Sequence, residues 1–383
     1  RQSAVRAHAL ATGESNATIL LATLEARCGE LEKARSRLEE LAADRTDPNR
    51  QRALFELGRV LDRQGACAAA FAHLVEAGRL GLAAPPVSRF DLQSIYRELA
   101  EEQTKCTTAW LQDFSCHSDD GHADPIFLVG FYRSGTTLLE QILAAHSRIQ
   151  SIDETGLIPE LLKELHRRLP DGRLHWTERI ATLGRDITAE LRRHYWQRAE
   201  LHMGKSIGNA LLLDKTALNS INIGLIRTIF PRAHIIFARR DPRDVLVSCF
   251  MQPFAPTLLT AHFLDWREGA RLYDSVMNHW EAMTSLPGTA VTEIRYEDVI
   301  ADVRGSVTPF LHSLGLDWQE AMGRFHEFAR KKAISTPSFS DVARPVYRSA
   351  EGKWRRYAEQ FEAIAPFVQP HVERHGYGNG SQP

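Results

Sequence analysis

The segment Gly130-Phe131-Tyr132-Arg133-Ser134-Gly135-Thr136-Thr137 has most of the parts of a phosphate-binding loop and omits one. The loop of nucleotide kinases and NTPases reads G-x-x-x-x-G-K-[ST]. Here both glycines and the last hydroxyl are present, but Thr136 stands where the lysine belongs. Two glycines permit a tight turn, and the amides of residues 134–137 would face an anion from the N-terminus of a following helix. The lysine normally reaches the β- and γ-phosphates of a triphosphate, so this loop serves a triphosphate badly and holds one phosphate well. Arg133, inside the loop, is a cation aimed at the group that the held phosphate carries.

Such a loop must be carried by a strand and a helix, and the sequence around it supplies them. IFLVG (126–130) precedes it and a helical pattern at 135–146 follows. NALLLD (209–214), AHIIFAR (233–239) and AVTEIRY (290–296) repeat the arrangement, each leading into a helical segment. Continuous apolar strands alternating with helices predict an α/β domain, a parallel sheet covered on both faces. Ligands of such sheets bind at the carboxyl ends of the strands, where this loop falls.

The first hundred residues read differently. Leu21/Leu57, Ala22/Gly58, Gly29/Gly65, Ala34/Ala70 and Leu38/Leu74 recur at a spacing of 36 in two Ala- and Leu-rich helical stretches. The spacing predicts an internal repeat of helical hairpins, with the small residues at the close approaches and Gly29 and Gly65 in the turns. The pattern resembles tetratricopeptide repeats, with Asp47-Pro48 closing the first copy. The domain division expected is 1–102 for an all-α repeat region, 103–124 for a linker, and 125–383 for the α/β domain.

Composition limits the function. Lys plus Arg number 47 against 48 Asp plus Glu, so no global basic field exists to gather nucleic acid or an anionic membrane, and any anion site must be local. No apolar run approaches the ~20 residues that span a bilayer. The five scattered cysteines argue for a reducing compartment, and the expected location is cytoplasmic. Cys106, Cys116, His117, His122 and Asp124 crowd one segment without a standard zinc spacing, and a solvated connection is the simpler reading. No metal is expected.

With the lysine-less loop, Arg133 and the repeats taken together, residues 125–375 resemble the sulfotransferases that use 3′-phosphoadenosine 5′-phosphosulfate (PAPS). The resemblance is strongest to bacterial forms preceded by tetratricopeptide repeats and to the tyrosylprotein sulfotransferases. It implies a P-loop-like sulfotransferase domain that moves a sulfuryl group, neutral in flight as SO₃ and needing no metal, to an acceptor hydroxyl. The loop residues Arg133, Ser134, Gly135, Thr136 and Thr137 would hold the 5′-phosphate. Arg240 and Ser248 of ARRDPRDVLVS match the pair that holds the 3′-phosphate. Against this, Asp241 or Asp244 paired to Arg243 would make the same stretch an ordinary helix cap.

The same resemblance makes Glu154 of IDETGLIP the general base and sets Lys215 of LLLDKTALN near the bridging oxygen of the leaving group. Tyr296 and Lys353 become further cofactor contacts, and Ser338 a group that steadies the transition state. Asp341 stands where relatives carry glutamine, and Ala217 replaces a proline. A carboxylate, ionised at neutral pH, can take the hydroxyl proton and typically adds about 10²–10⁴ in rate. The alternative for Glu154 is an acid favoured at a helix N-terminus. His146 and His262 are rival bases. Trp266, Tyr273 and Trp280 read as the core stripe of a helix over 261–283. A phenol, alcohol or sugar acceptor, a P-loop kinase, and an inactive repeat adaptor are the alternatives; in the leading reading, the repeats hold a peptide or protein acceptor.

Overall fold

The computed structural model describes residues 14–116, 120–288, 290–329 and 351–378. They form two compact units. One takes the described residues of 1–95, 242–274 and 352–383, the other those of 96–241 and 275–351.

The first unit opens with four helices, α1 (Ser15–Arg27), α2 (Leu31–Ala43), α3 (Arg50–Arg63) and α4 (Cys67–Ala83). The 36-residue spacing reappears in the packing: Leu21, Leu57, Ala34, Ala70, Leu38 and Leu74 are all buried. A Cβ on Gly58 would come within 2.8 Å of the Leu74 side chain, so α3 and α4 need a small residue there. Gly29 and Gly65 take the turns at φ 87° and 81°, as the sequence predicts.

Two segments distant in sequence, 242–274 and the described residues of 352–383, complete this unit. The ring of Phe71 on α4 lies 5.2 Å from Phe250 and 5.6 Å from Trp266, and Trp266 meets Phe361 at 5.2 Å. Aromatic rings of this size bury large apolar areas, so the chain from 242 and from 352 gains more by packing on α4 than by remaining apart. Tyr273 and Trp280 are buried, as expected of a core stripe, whereas Trp266 is half-buried; Trp280, farther along the helix Trp266–Ser285, stacks on Phe237 in the second unit.

The second unit is built on a five-stranded, wholly parallel sheet of β1 (Ile126–Gly130), β2 (Ile149–Asp153), β3 (Leu211–Lys215), β4 (His234–Arg239) and β5 (Ala290–Arg295), in the order β2-β3-β1-β4-β5. All five residues of β1 are buried, as befits a central strand covered on both faces. From β1 the chain runs to β2 and β3 on one side and then to β4 and β5 on the other. The carboxyl end of β1 is therefore the switch point at which such sheets bind ligands.

The described residues of 103–124 include a helix and buried side chains. Thr108–Phe114 is a helix capped by the Thr107 side chain, and Cys106 and Cys116 are buried. Asp120 and Asp124 pair with Arg192, whose side chain is itself buried. The polar composition of this segment serves a buried ion pair, which composition alone does not reveal.

Candidate active site

The loop after β1 is held from several sides. Ser220 Oγ donates to the Gly130 carbonyl at 2.8 Å, and Ser134 Oγ donates to the Phe131 carbonyl at 2.7 Å. A Cβ on Gly130 would meet Ser134 Oγ at 2.6 Å and the Ala238 carbonyl at 2.7 Å, so the close packing of β1, β4 and the loop needs glycine. Gly135 has φ 97°, and a Cβ there would come 2.7 Å from the Tyr296 ring. The helix Thr136–Ala144 begins at once, with the hydroxyls of Thr136 and Thr137 buried in its first turn. One detail departs from the expectation: the Ser134 amide is engaged by the Phe131 carbonyl at 3.3 Å. The amides of Gly135 to Thr137 are then the helix-start groups of this loop, which a helix leaves without intrahelical partners.

Arg240 and Tyr296 converge on this loop. The Arg240 guanidinium donates to the Arg133 carbonyl at 2.9 Å and stands 4.7 Å from the Tyr296 ring centroid, within cation–π range. Three residues assigned by resemblance from separate parts of the chain, Arg133, Arg240 and Tyr296, are thus brought together at the end of the central strands.

Glu154 leaves β2 with its amide donating to the Lys215 carbonyl at 2.9 Å, which extends the β2–β3 pairing by one step. Its side chain then meets Lys215, whose Nζ donates to Oε1 at 3.0 Å. The same ammonium lies 2.5 Å from Oδ1 of Asp153, and the lysine side chain is wholly buried. Burial alone would lower the pKa of Lys215. The charges of Glu154, Asp153 and Glu140 outweigh it and hold the group above the usual lysine value. Glu154 itself remains 45% exposed and so within reach of a substrate.

Arg133 at φ 63° and Glu154 at φ 48° are the only non-glycine residues in the left-handed region among the described residues. Each such conformation costs about 1–2 kcal/mol for an L-residue, and it persists only where the surroundings impose it. Here the two coincide with the loop cation and the carboxylate read from sequence.

Ser248 sits in the helix Pro242–Phe250 of the first unit. In that unit Arg243 stacks on Trp354 at 3.6 Å, while Asp244 accepts from the amides of Gly352 and Trp354, so the helix start serves the segment 352–354. Lys353 Nζ lies 2.7 Å from Asp62 of α3. Ser338 and Asp341 lie outside the described residues. Ala217 is buried at the start of a 3-10 turn, Ala217–Asn222.

The rival bases are structural. Both ring nitrogens of His262 face carbonyls, Leu258 at 3.0 Å and Leu92 at 3.1 Å. His146 is buried, which depresses its pKa, and its Nδ1 accepts from the Arg148 amide at 3.1 Å. Sequence reasoning missed Asp153, Glu140 and Ser220. The adjacency of Asp153 to Glu154 in IDET was the available signal for the first; the other two show only once the strands are paired.

Residues 125–320 match the model of the sulfotransferase family. The chain is 28% identical over 253 residues to an uncharacterized protein of Aquifex aeolicus (strain VF5), a match covering 64% of this chain and 32% of that protein. It is 24% identical over 280 residues to protein-tyrosine sulfotransferase A of Caenorhabditis elegans, covering 70% of this chain and 72% of that one. Among solved structures, the sulfotransferase domain from the Synechococcus PCC 7002 olefin synthase is similar with a TM-score of 0.42 and 21% identity, over 63% of this chain and 91% of that domain. The lysine-less loop, the parallel sheet and the family match agree: this chain belongs to the sulfotransferase family.

Proposed function

We propose that this protein transfers a sulfuryl group from PAPS to an acceptor hydroxyl, with Glu154 as general base. The single observation that carries the reading is the pairing of imposed backbone strain with chemistry at Arg133 and Glu154. PAPS, when bound, supplies a sulfuryl group on its 5′-phosphate and presents a second phosphate on the ribose. The residues present fit both ends: the amides of Gly135 to Thr137 suit the first phosphate and the Arg240 guanidinium suits the second. Tyr296 stands against both Arg240 and the loop.

The exposed carboxylate of Glu154 takes the proton of the attacking hydroxyl. Lys215 fixes that carboxylate by its 3.0 Å bond and adds positive charge beside the reacting groups. Arg133 offsets the charge that builds on the leaving phosphate. No metal is required in this scheme. Tyrosine in a peptide is the acceptor we favour, because the similarity to a protein-tyrosine sulfotransferase spans 72% of that protein and because stacked hairpins suit an extended chain. Small phenols, alcohols and sugars are the alternative. The five unbridged cysteines favour a reducing, cytoplasmic setting, and no described helix is long and apolar enough to cross a membrane.

Thermal denaturation with nucleotides tests the donor. The desulfated product, 3′-phosphoadenosine 5′-phosphate, should raise Tm well above the effect of ATP or AMP, because binding to the native state alone stabilises it. Arg240→Ala should erase most of that distinction. Equal stabilisation by ATP, together with transfer activity abolished by EDTA, would instead favour a kinase.

A further inference from the structure

The first unit holds a cavity of about 210 Å³ between the start of α3, the chain just after α4 and the segment 252–264. Its floor is apolar: Phe55, Val87 and Phe263 line it and are buried. Its rim is exposed, and three of its residues are prolines, Pro85, Pro253 and Pro256, whose rings fix the backbone so that the mouth resists folding inward. Thr260 Oγ1 donates to the Ala255 carbonyl at 2.7 Å and so ties down the turn that carries Pro256. Gly81 belongs to the wall; a Cβ there would meet Gln51 Nε2 at 2.3 Å and the Leu264 side chain at 3.1 Å, so its neighbours have already closed in. The rings of Phe254 and Phe263, 5.5 Å apart and tilted by 37°, form another wall.

We propose that this cavity is a binding site for one aromatic ring, carried by a free small molecule or by a side chain of a peptide. An apolar cavity of about 150 Å³ stays dry and accepts benzene, so about 210 Å³ suits a single substituted ring or a fused pair such as indole. It falls short of the roughly 300–1,000 Å³ of a pocket for a drug-sized ligand. The side chains of Phe55, Val87 and Phe263 offer water no hydrogen bond, and the paired phenylalanine rings can pack a third ring edge-on or offset. Polar groups are few: the amides of Gln51 and Gln252 and the Arg52 guanidinium also line the cavity. A glutamine amide both donates and accepts, so a polar group beside the ring, a peptide group included, finds a partner. Walls that are already fixed spare the ligand the cost of ordering them.

The test is calorimetric titration of the full chain with indole, which has no hydroxyl to accept a sulfuryl group. We expect a Kd below about 1 mM. Phe254→Ala removes one ring of the wall and should raise the Kd about fivefold or more. Ala84→Trp brings a ring of its own to the lining and should abolish binding without lowering Tm. Both residues are only half-buried, and should one variant not fold, the other decides. Leu20→Ala trims an exposed leucine outside the lining and should leave the Kd at the wild-type value. N-Acetylphenylalanine amide distinguishes the sources: a Kd below that of indole identifies a peptide side chain, and a Kd above it a free ring.

A wild-type Kd for indole above about 1 mM overturns the inference. Binding that persists unchanged in both Phe254→Ala and Ala84→Trp overturns it too, since the ring would then sit elsewhere. Equal weakening in Leu20→Ala does the same, because general destabilisation would suffice. Transfer from PAPS is not the readout, so a protein that binds indole in the expected pattern but moves no sulfuryl group would refute the proposed reaction and leave this site standing.

Discussion

Lys215 Nζ is shared between Glu154 Oε1 at 3.0 Å and Asp153 Oδ1 at 2.5 Å, in a side chain with no exposed surface. Its neighbours hold it protonated against the pull of burial. A lysine whose folded pKa is raised stabilises the fold fully at and below neutral pH, and this contribution fades only above the ordinary lysine range. Lys215→Met leaves the surrounding carboxylates without their cation. Breaking a buried pair by removing one partner costs about 3–5 kcal/mol, so urea unfolding at pH 7 should show a loss of that order. A loss below ~1 kcal/mol would mean that the ammonium is not what balances this cluster.

Gly135 permits a sharper comparison. Alanine there would hold φ 97° at a cost and press on the Tyr296 ring, whereas at Gly29 it would face the backbone cost alone, with nothing within 4 Å. Both Gly135→Ala and Gly29→Ala should lower Tm. Only Gly135→Ala should weaken binding of 3′-phosphoadenosine 5′-phosphate, by tenfold or more in a titration. Unchanged affinity would detach the loop from the donor.

A buried carboxylate makes stability depend on pH. Burial pushes Glu102 up to about 7, although Trp176 Nε1 at 3.2 Å and the Gly224 amide at 2.9 Å donate to it and pull the other way. Because the folded value exceeds the ordinary one, its contribution is full below about pH 4.5 and is lost as pH rises to about 7. His279, 3.7 Å away, has the opposite sense: burial depresses it to about 4, so its contribution is lost as pH falls. Glu102→Gln should therefore be more stable than wild type at pH 8, by roughly 2–3 kcal/mol, with the advantage gone at pH 4.5. Parallel stability curves for the two proteins would contradict this.

Much of the site was readable because its parts are local. GFYRSGTT follows a strand and opens a helix, and the apolar runs of β1, β3 and β4 identify themselves. β2 was missed because IQSID is a short edge strand, with only Ile149 and Ile152 of its five residues buried. The strain at Arg133 and Glu154 was not legible, since φ depends on what surrounds a residue and not on its type. The packing of the first unit was hidden for a similar reason: Phe71 and Asp62 select their partners from segments far along the chain, Phe250 and Trp266 for the ring and Lys353 to Tyr357 for the acid.

The central claim is that Glu154 takes the proton while sulfur moves from PAPS to a hydroxyl. The direct measurement is transfer of radiolabelled sulfur from PAPS to a panel of tyrosyl peptides, phenols and sugars by wild-type protein and by Glu154→Gln. The account predicts labelling of at least one class of acceptor, a kcat lowered about 10²-fold or more in the variant, and an unchanged Kd for 3′-phosphoadenosine 5′-phosphate. Near-normal kcat in Glu154→Gln, or no transfer by the wild type to any hydroxyl offered, would contradict it.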